Sequence, residues 1–170
     1  MVHAVRADAA RSTEQEFEAL IGPLVEPGLR LAYSMLGDRA EAEDATQEAI
    51  TKAWRSLRTL RDRDRARPWF LAIVANQCRN VRRSRWFTTL RLAEIFGSRP
   101  SEPTVEKLDL ERALARLPIS DRQVLFMYYF LDLRVEEIAV VLGISPAATK
   151  GRIYRACRRL RPGLLEEDMR

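Results

Sequence analysis

The stretch Arg134-Val-Glu-Glu-Ile-Ala-Val-Val-Leu-Gly-Ile-Ser-Pro-Ala-Ala-Thr-Lys-Gly-Arg-Ile-Tyr-Arg-Ala-Cys-Arg-Arg-Leu160 decides the fold of this chain. Ile138, Ala139, Leu142 and Ile144 recur at helical spacing around Gly143, where a tight turn needs a residue that adopts positive φ without a Cβ penalty. Ser145 is placed to cap a following helix, and Pro146 to take its first position, where a missing N–H costs nothing. In that second helix Thr149, Ile153, Ala156 and Leu160 recur at i, i+4, i+7 and i+11 and face inward. Lys150, Gly151, Tyr154, Arg155 and Arg158 fall on the opposite side, and Arg152 adds to the charge. Thr149 to Leu165 holds six cations and no acid. A helix of this width fits the DNA major groove, where guanidinium and ammonium groups meet phosphates and guanine edges. The same arginines also suit a solvated helix terminus favoured by the macrodipole. The motif alone therefore leaves the kind of regulator open.

Working outward, no segment alternates apolar and polar residues, while helical spacing recurs throughout, so the chain reads as all-α. Residues 1–11 read as a frayed, disordered tail. Ser12 and Thr13, with Gln15 and Glu16 three residues on, resemble capping boxes that open a helix through Ile21. Gly22-Pro23 and Pro27-Gly28 break it, and a second helix reaches Leu36. Asp38 caps a third, from Ala40 to about Leu57; Arg58–Arg67 is charged and irregular; a long helix then runs from Pro68 to about Trp86. The segment Gly97–Thr104, with two prolines, reads as the heart of a linker. Beyond it come a helix over Val105–Leu117, an apolar helix over Asp121–Leu131, and the helix-turn-helix. The expected organisation is a tail (1–11), a first helical domain (12–88), a flexible linker (89–104), a second helical domain (105–163) and a C-terminal tail (164–170).

Composition limits what such a chain does. Its 170 residues are 46% hydrophobic, with a net charge of +5 and a pI near 9.7, which favours a polyanionic partner. No apolar run is long enough to cross a bilayer, and the N-terminus lacks a signal core, which points to a cytoplasmic protein without membrane insertion. Cys78 and Cys157 lie far apart, outside any C-x-x-C spacing, and read as bystander thiols before any redox role. His3 is the sole histidine, so a His-based metal site or triad has nothing to be built from. No glycine-rich phosphate loop is present. The chain reads as a non-enzyme that needs no cofactor or metal.

Charge is segregated in the first half. Asp38–Glu48 holds five acids and one arginine, whereas Arg65–Ala93 holds seven arginines and no acid. Asp44, Gln47 and Glu48 form an outward stripe at i, i+3, i+4, suited to a basic protein surface; acids at a helix start also complement its dipole. Their inward counterparts are Ala42, Ala45, Ala49, Ala53, Trp54 and Leu57. Asn76, Gln77 and Asn80 are amides one turn apart on a helix that continues into Arg79, Arg82, Arg83 and Arg85. Amides able to pair with base edges beside a phosphate-binding arginine row suit single-strand recognition, though helix amides also serve as ordinary surface.

Taken in order, Glu41-Ala-Glu-Asp-Ala-Thr-Gln-Glu-Ala-Ile-Thr-Lys-Ala-Trp54, Pro68-Trp-Phe-Leu-Ala-Ile-Val-Ala-Asn-Gln-Cys-Arg-Asn-Val-Arg-Arg83, and Leu114-Ala-Arg-Leu-Pro-Ile-Ser-Asp-Arg-Gln-Val-Leu125 with the helix-turn-helix resemble the extracytoplasmic-function group of bacterial RNA polymerase sigma factors. The resemblance covers residues 14–162. It implies a subunit that binds core RNA polymerase and directs promoter-specific initiation. Asp44, Gln47 and Glu48 would dock on the polymerase clamp helices. The Arg58–Arg67 loop, Arg63 and Arg65 included, would capture a flipped base of the −10-type element with Asn76, and Asn80 would also contact that element. Arg79, Arg82, Arg83 and Arg85 would hold phosphates of the opening duplex. Lys150, Gly151, Arg152, Tyr154, Arg155 and Arg158 would read the −35-type element. An anti-sigma factor is a further implied partner. The alternative is a stand-alone helix-turn-helix transcriptional regulator, which has no use for the Asp44/Gln47/Glu48 stripe. This chain departs from the family pattern at Ala66, in place of a large apolar residue, at Thr149, in place of a branched aliphatic, and at Ala147 and Ala148, which offer no polar contacts.

Overall fold

The computed structural model describes residues 2–93 and 116–165, with side chains over 13–84 and 116–160. All regular structure among these residues is helical. α1 spans Val2–Leu36, α2 Arg39–Ser56 and α3 Ala66–Ala93; 3-10 turns at Leu57–Thr59 and Arg63–Arg65 lie between α2 and α3. α4 spans Ile119–Leu125 and runs into a π-helical turn at Phe126–Phe130; α5 is Val135–Leu142 and α6 Pro146–Leu165. The chain divides into two compact units, Met1–Cys78 and Arg79–Arg170. That division lies inside α3, whereas composition placed the linker at 89–104. Residues 89–93 are helical, and 94–104 lie outside the described residues, as does most of the expected helix over Val105–Leu117.

In the first unit the N-terminal reading needs correction. Residues 2–11 belong to α1 and not to a disordered tail, since Ala4, Ala7, Ala9 and Ala10 are strong helix formers. Ser12 and Thr13 consequently sit mid-helix and open nothing. Pro23 and Pro27 are both inside α1. Each forfeits one i→i−4 hydrogen bond, and the helix continues because its apolar face stays buried on both sides of them, at Ile21 before and Leu31, Ala32 and Met35 after. Each large apolar side chain so buried contributes about 1.5–3 kcal/mol.

Small residues set the helix spacing. α2 buries Ala42, Ala45, Ala49 and Ala53, and α3 buries Phe70, Leu71, Val74 and Ala75. A Cβ placed on Gly28 of α1 would lie 2.9 Å from Phe70 Cε1 and 3.3 Å from Val74 Cγ2, so α1 and α3 meet where only glycine fits. Trp54, expected inside, is 44% exposed; its ring stacks edge-on against Phe17 at 5.1 Å and closes the outer margin of the α1–α2 contact. Ala66 is buried at the start of α3.

In the second unit α4 and α5 pack on α6 around Val124, Leu125, Met127, Leu133, Ile138, Val141 and Ala156. The apolar helix expected over Asp121–Leu131 is α-helical only to Leu125. There the ladder widens: Leu131 N–H donates to Phe126 O at 3.0 Å, the i→i−5 bond of a π turn, and Leu133 N–H closes the segment on Met127 O at 3.0 Å. Asp121 is buried and ion-paired with Arg159, which ties α4 to α6. Gly143 takes φ +68 at the end of α5, as the turn requires. Thr149 is fully buried, and its hydroxyl donates to Ser145 O at 3.1 Å, so the polar atom at this inward position is satisfied within its own helix.

Gly28→Val is expected to lower the unfolding free energy of the first unit by about 2 kcal/mol, through overpacking against Phe70. Urea denaturation followed by circular dichroism measures this; an unchanged midpoint would show that the ring yields freely.

Candidate nucleic-acid and protein interfaces

α2 begins where Asp38 Oδ1 accepts the Glu41 N–H at 2.9 Å. The remaining acids of the block are then sorted by position. Glu43 accepts from Arg39 Nε at 2.9 Å, and that hydrogen bond and charge hold the Arg39 guanidinium above its ordinary pKa. Glu41 is half-buried. Asp44, Gln47 and Glu48 are exposed, and among the described residues their side chains make no ion pair or hydrogen bond. Because the alanines occupy the opposite face, this stripe is the outward side of a rigid helix. It presents two carboxylates and an amide to solvent.

On α3 the tertiary packing separates amides that look equivalent in sequence. Asn76 and Asn80 are exposed, whereas Gln77 is buried and its Oε1 accepts from Lys52 Nζ of α2 at 3.0 Å. Gln77 thus holds two helices together. Within the second unit, Arg79 Nη2 donates to the Val141 carbonyl of α5 at 3.3 Å, and Arg83 Nη2 donates to Asn80 Oδ1 at 2.9 Å. Arg82 is exposed; the Arg85 side chain lies outside the described residues. In the loop before α3, Arg58, Arg61, Arg63 and Arg65 are all classed as exposed. Arg63 alone among them is held, by two carbonyls and by Glu16.

α6 is capped as its sequence requires, with Ala148 N–H donating to Ser145 Oγ at 3.2 Å. Lys150, Tyr154, Arg155 and Arg158 are exposed on one side, and Gly151 and Arg152 are half-buried. A Cβ on Gly151 would lie 3.3 Å from Arg155 Nη1, so the missing side chain leaves room for the Arg155 fork to lie across the helix. Arg155 therefore presents a planar, bidentate donor at the centre of the cationic face.

The sequence reading missed an aromatic shelf. The π turn swings Tyr128, Tyr129 and Phe130 outward, although the run Val124–Leu131 is apolar throughout and its sequence carries no signal of the change. Tyr129 Oη lies 3.7 Å from Cys157 Sγ, and this contact raises the phenol pKa. Neither cysteine is disulfide-bonded; Cys78 is buried and Cys157 half-buried. Among the described residues no cluster of His, Cys, Asp or Glu is suited to a metal, and no helix is long and apolar enough to cross a membrane.

Two family models match the chain in order: Sigma-70 region 2 over residues 22–88 and Sigma-70, region 4 over residues 107–160. The RNA polymerase sigma factor SigV of Bacillus subtilis is 32% identical over 142 residues, covering 82% of this chain and 86% of that protein. The ECF RNA polymerase sigma factor SigL of Mycobacterium tuberculosis is 31% identical over 145 residues, covering 81% and 82% respectively. Among solved structures, CnrH in complex with the cytosolic domain of CnrY is 28% identical with a TM-score of 0.66, covering 95% of each chain. The sigma factor RpoE in complex with the anti-sigma factor NepR, from Bartonella quintana, shares the fold with a TM-score of 0.73 at 21% identity, covering 88% of this chain and 97% of that one.

Arg155→Ala is expected to reduce discrimination between upstream-element sequences by about 1–3 kcal/mol. Competition binding across single-base duplex variants measures the loss. An equal weakening on every sequence would assign Arg155 to a phosphate instead of a base.

Proposed function

The chain belongs to the extracytoplasmic-function group of RNA polymerase sigma factors, and from that membership we propose how its surfaces divide the work of promoter-specific transcription initiation. Asp44, Gln47 and Glu48 dock on the clamp helices of core RNA polymerase. Lys150, Gly151, Arg152, Tyr154, Arg155 and Arg158 read the −35-type element in the major groove. Asn76 and Asn80, with the loop that carries Arg63 and Arg65, engage the −10-type element, while Arg79, Arg82, Arg83 and Arg85 neutralise phosphates of the opening strands. Residues 12–88 act as the core- and −10-binding domain, 105–163 as the −35-binding domain, and 89–104 as the tether between them. The observation that carries this reading is an exposed, uncommitted acidic stripe on α2 in the same polypeptide as the exposed cationic face of α6. A repressor needs the second and has no use for the first.

Strand opening needs no nucleotide hydrolysis here. Unstacking a base costs a few kcal/mol, which a pocket for the flipped base and contacts to phosphate offset. Nothing in the proposed cycle calls for a bond-making residue, a metal or a cofactor, so the chain works as a binding subunit in the cytoplasm, alongside polymerase. An anti-sigma factor is the natural antagonist: by covering the acidic stripe or the cationic faces it would block polymerase and promoter together.

Run-off transcription with purified core polymerase tests the assignment. The wild-type chain is expected to redirect initiation on a genomic fragment library. The Asp44→Arg, Glu48→Arg double variant should lose at least tenfold in core affinity, about 1.4 kcal/mol or more, with an unchanged thermal unfolding curve. Retained core affinity would remove the stripe from the interface. Tight duplex occupancy without polymerase, and no effect on initiation, would favour a stand-alone regulator. Asn76→Ala is expected to slow open-complex formation while sparing duplex binding, followed by fluorescence of a 2-aminopurine placed in the opening segment; loss of duplex affinity alone would argue against base capture.

A further inference from the structure

The loop between α2 and α3 is short, carries four of the chain's arginines, and is built from two 3-10 turns with little regular hydrogen bonding. Its own bonds are few. Thr59 Oγ1 donates to Ser56 O at 2.7 Å, Leu60 N–H to Leu57 O at 3.0 Å, Arg65 N–H to Asp62 O at 3.2 Å, Asp64 N–H to Asp62 Oδ1 at 3.0 Å, and Ala66 N–H to Arg63 O. Leu57 and Leu60 are buried and anchor the loop from below. A segment of this kind, with few ladder bonds and an exposed outer side, opens locally at low free energy unless something else ties it down.

Arg63 supplies that tie. Its Nη1 reaches the Leu60 carbonyl at 3.2 Å and the Leu57 carbonyl at 3.5 Å, while its Nη2 meets Glu16 Oε1 of α1 at 2.6 Å. One planar fork thus spans the first 3-10 turn, the residue that ends it, and a neighbouring helix. Arg58, Arg61 and Arg65, by contrast, make no side-chain hydrogen bond or ion pair among the described residues. The four loop arginines therefore fall into two kinds, one directed at the protein and three at solvent.

We propose that Arg63 is a positioning residue: latched to Glu16 and to the Leu57 and Leu60 carbonyls, it holds the loop ready-formed for the −10-type element and does not itself touch DNA. This rests on the reading of the loop as a promoter contact and reassigns Arg63 within it. Pre-ordering the loop removes an ordering cost that would otherwise fall on the strand-opening step. The roles of Arg61 and Arg65 as phosphate or base contacts are left to solvent-directed side chains free to move.

The test uses the full chain, alone and in holoenzyme with core polymerase, in the variants Glu16→Gln, Arg63→Gln and Arg63→Lys. In the free protein, amide hydrogen exchange at Leu60, Asp64 and Arg65 is expected to speed up about three- to fivefold in all three variants, in keeping with a half-exposed ion pair. Lysine fails to rescue because a single ammonium cannot span the three acceptors. In holoenzyme each variant should slow opening by a similar factor, with core affinity and the salt dependence of duplex binding unchanged. The Glu16→Gln, Arg63→Gln double variant should be no worse than Arg63→Gln alone, since losing the guanidinium already removes the Glu16 pair together with the two carbonyl bonds. Unchanged exchange in the three variants would overturn the latch. So would a salt slope reduced by about one in Arg63→Gln, restored in Arg63→Lys and unaffected by Glu16→Gln, since that pattern belongs to a phosphate contact. Arg61→Ala with Arg65→Ala serves as the control on the underlying reading. If that pair leaves opening unaltered while the latch variants still loosen the loop, the promoter assignment of the loop fails; if it slows opening while the loosened latch variants do not, the proposal about Arg63 fails.

Discussion

Close helix approach through small residues is the constraint on which the first unit depends. Gly28, Ala32, Ala42, Ala45, Ala49, Ala53 and Ala75 line the inner faces, and bulk enters at a few points such as Phe70, Leu31 and Leu71. Alanine is the best helix former, so a stripe of it serves packing without weakening the helices that carry it. With short side chains inside, nearly every long charged side chain of α2 is left outside. The acidic stripe is thus the geometric complement of the alanine stripe, half a turn away on the same helix.

Charge is then divided between structure and function. Glu26 pairs with Arg30, Glu43 with Arg39, Glu16 with Arg63, and Asp121 with Arg159. The first two are i,i+4 pairs on open helix surface and contribute little; the last two join separate elements and hold geometry. What remains is partly sorted by sign: Asp44 and Glu48 share one face of α2, cations run along α6, and the arginines of the loop before α3 alternate with exposed Asp62 and Asp64. The α2 carboxylates and the α6 cations are thereby left as surface patches of opposite sign.

The second unit uses a different device. Its recognition helix is held by the α4 and α5 contacts and by the Asp121–Arg159 pair, and its N-terminus is pinned by Ser145 and by the buried Thr149 hydroxyl. The π turn after α4 keeps Met127 in the core while turning Tyr128, Tyr129 and Phe130 outward, so one register change makes both a core and a surface from a single apolar run.

Features written in local chemistry were legible in the sequence. Gly143 needs positive φ, Ser145 and Asp38 cap the next turn, and the 3.6-residue period places Asp44, Gln47 and Glu48 opposite the alanines; each depends on neighbours within one or two turns. The all-α class follows from the same signals, whereas the order of the two sigma-factor regions was legible only as a family resemblance of three segments. What the chain alone did not decide depends on residues far apart in sequence. Pro23 and Pro27 read as breaks, yet α1 continues because burial on either side outweighs two lost hydrogen bonds. Asn76 and Gln77 read alike until Lys52 of α2 claims one of them. Arg63 reads as one more loop arginine until Glu16, 47 positions earlier, turns it toward the protein. Periodicity assigns a side chain to a face, but only the neighbouring helix determines whether that face is open to solvent or already occupied.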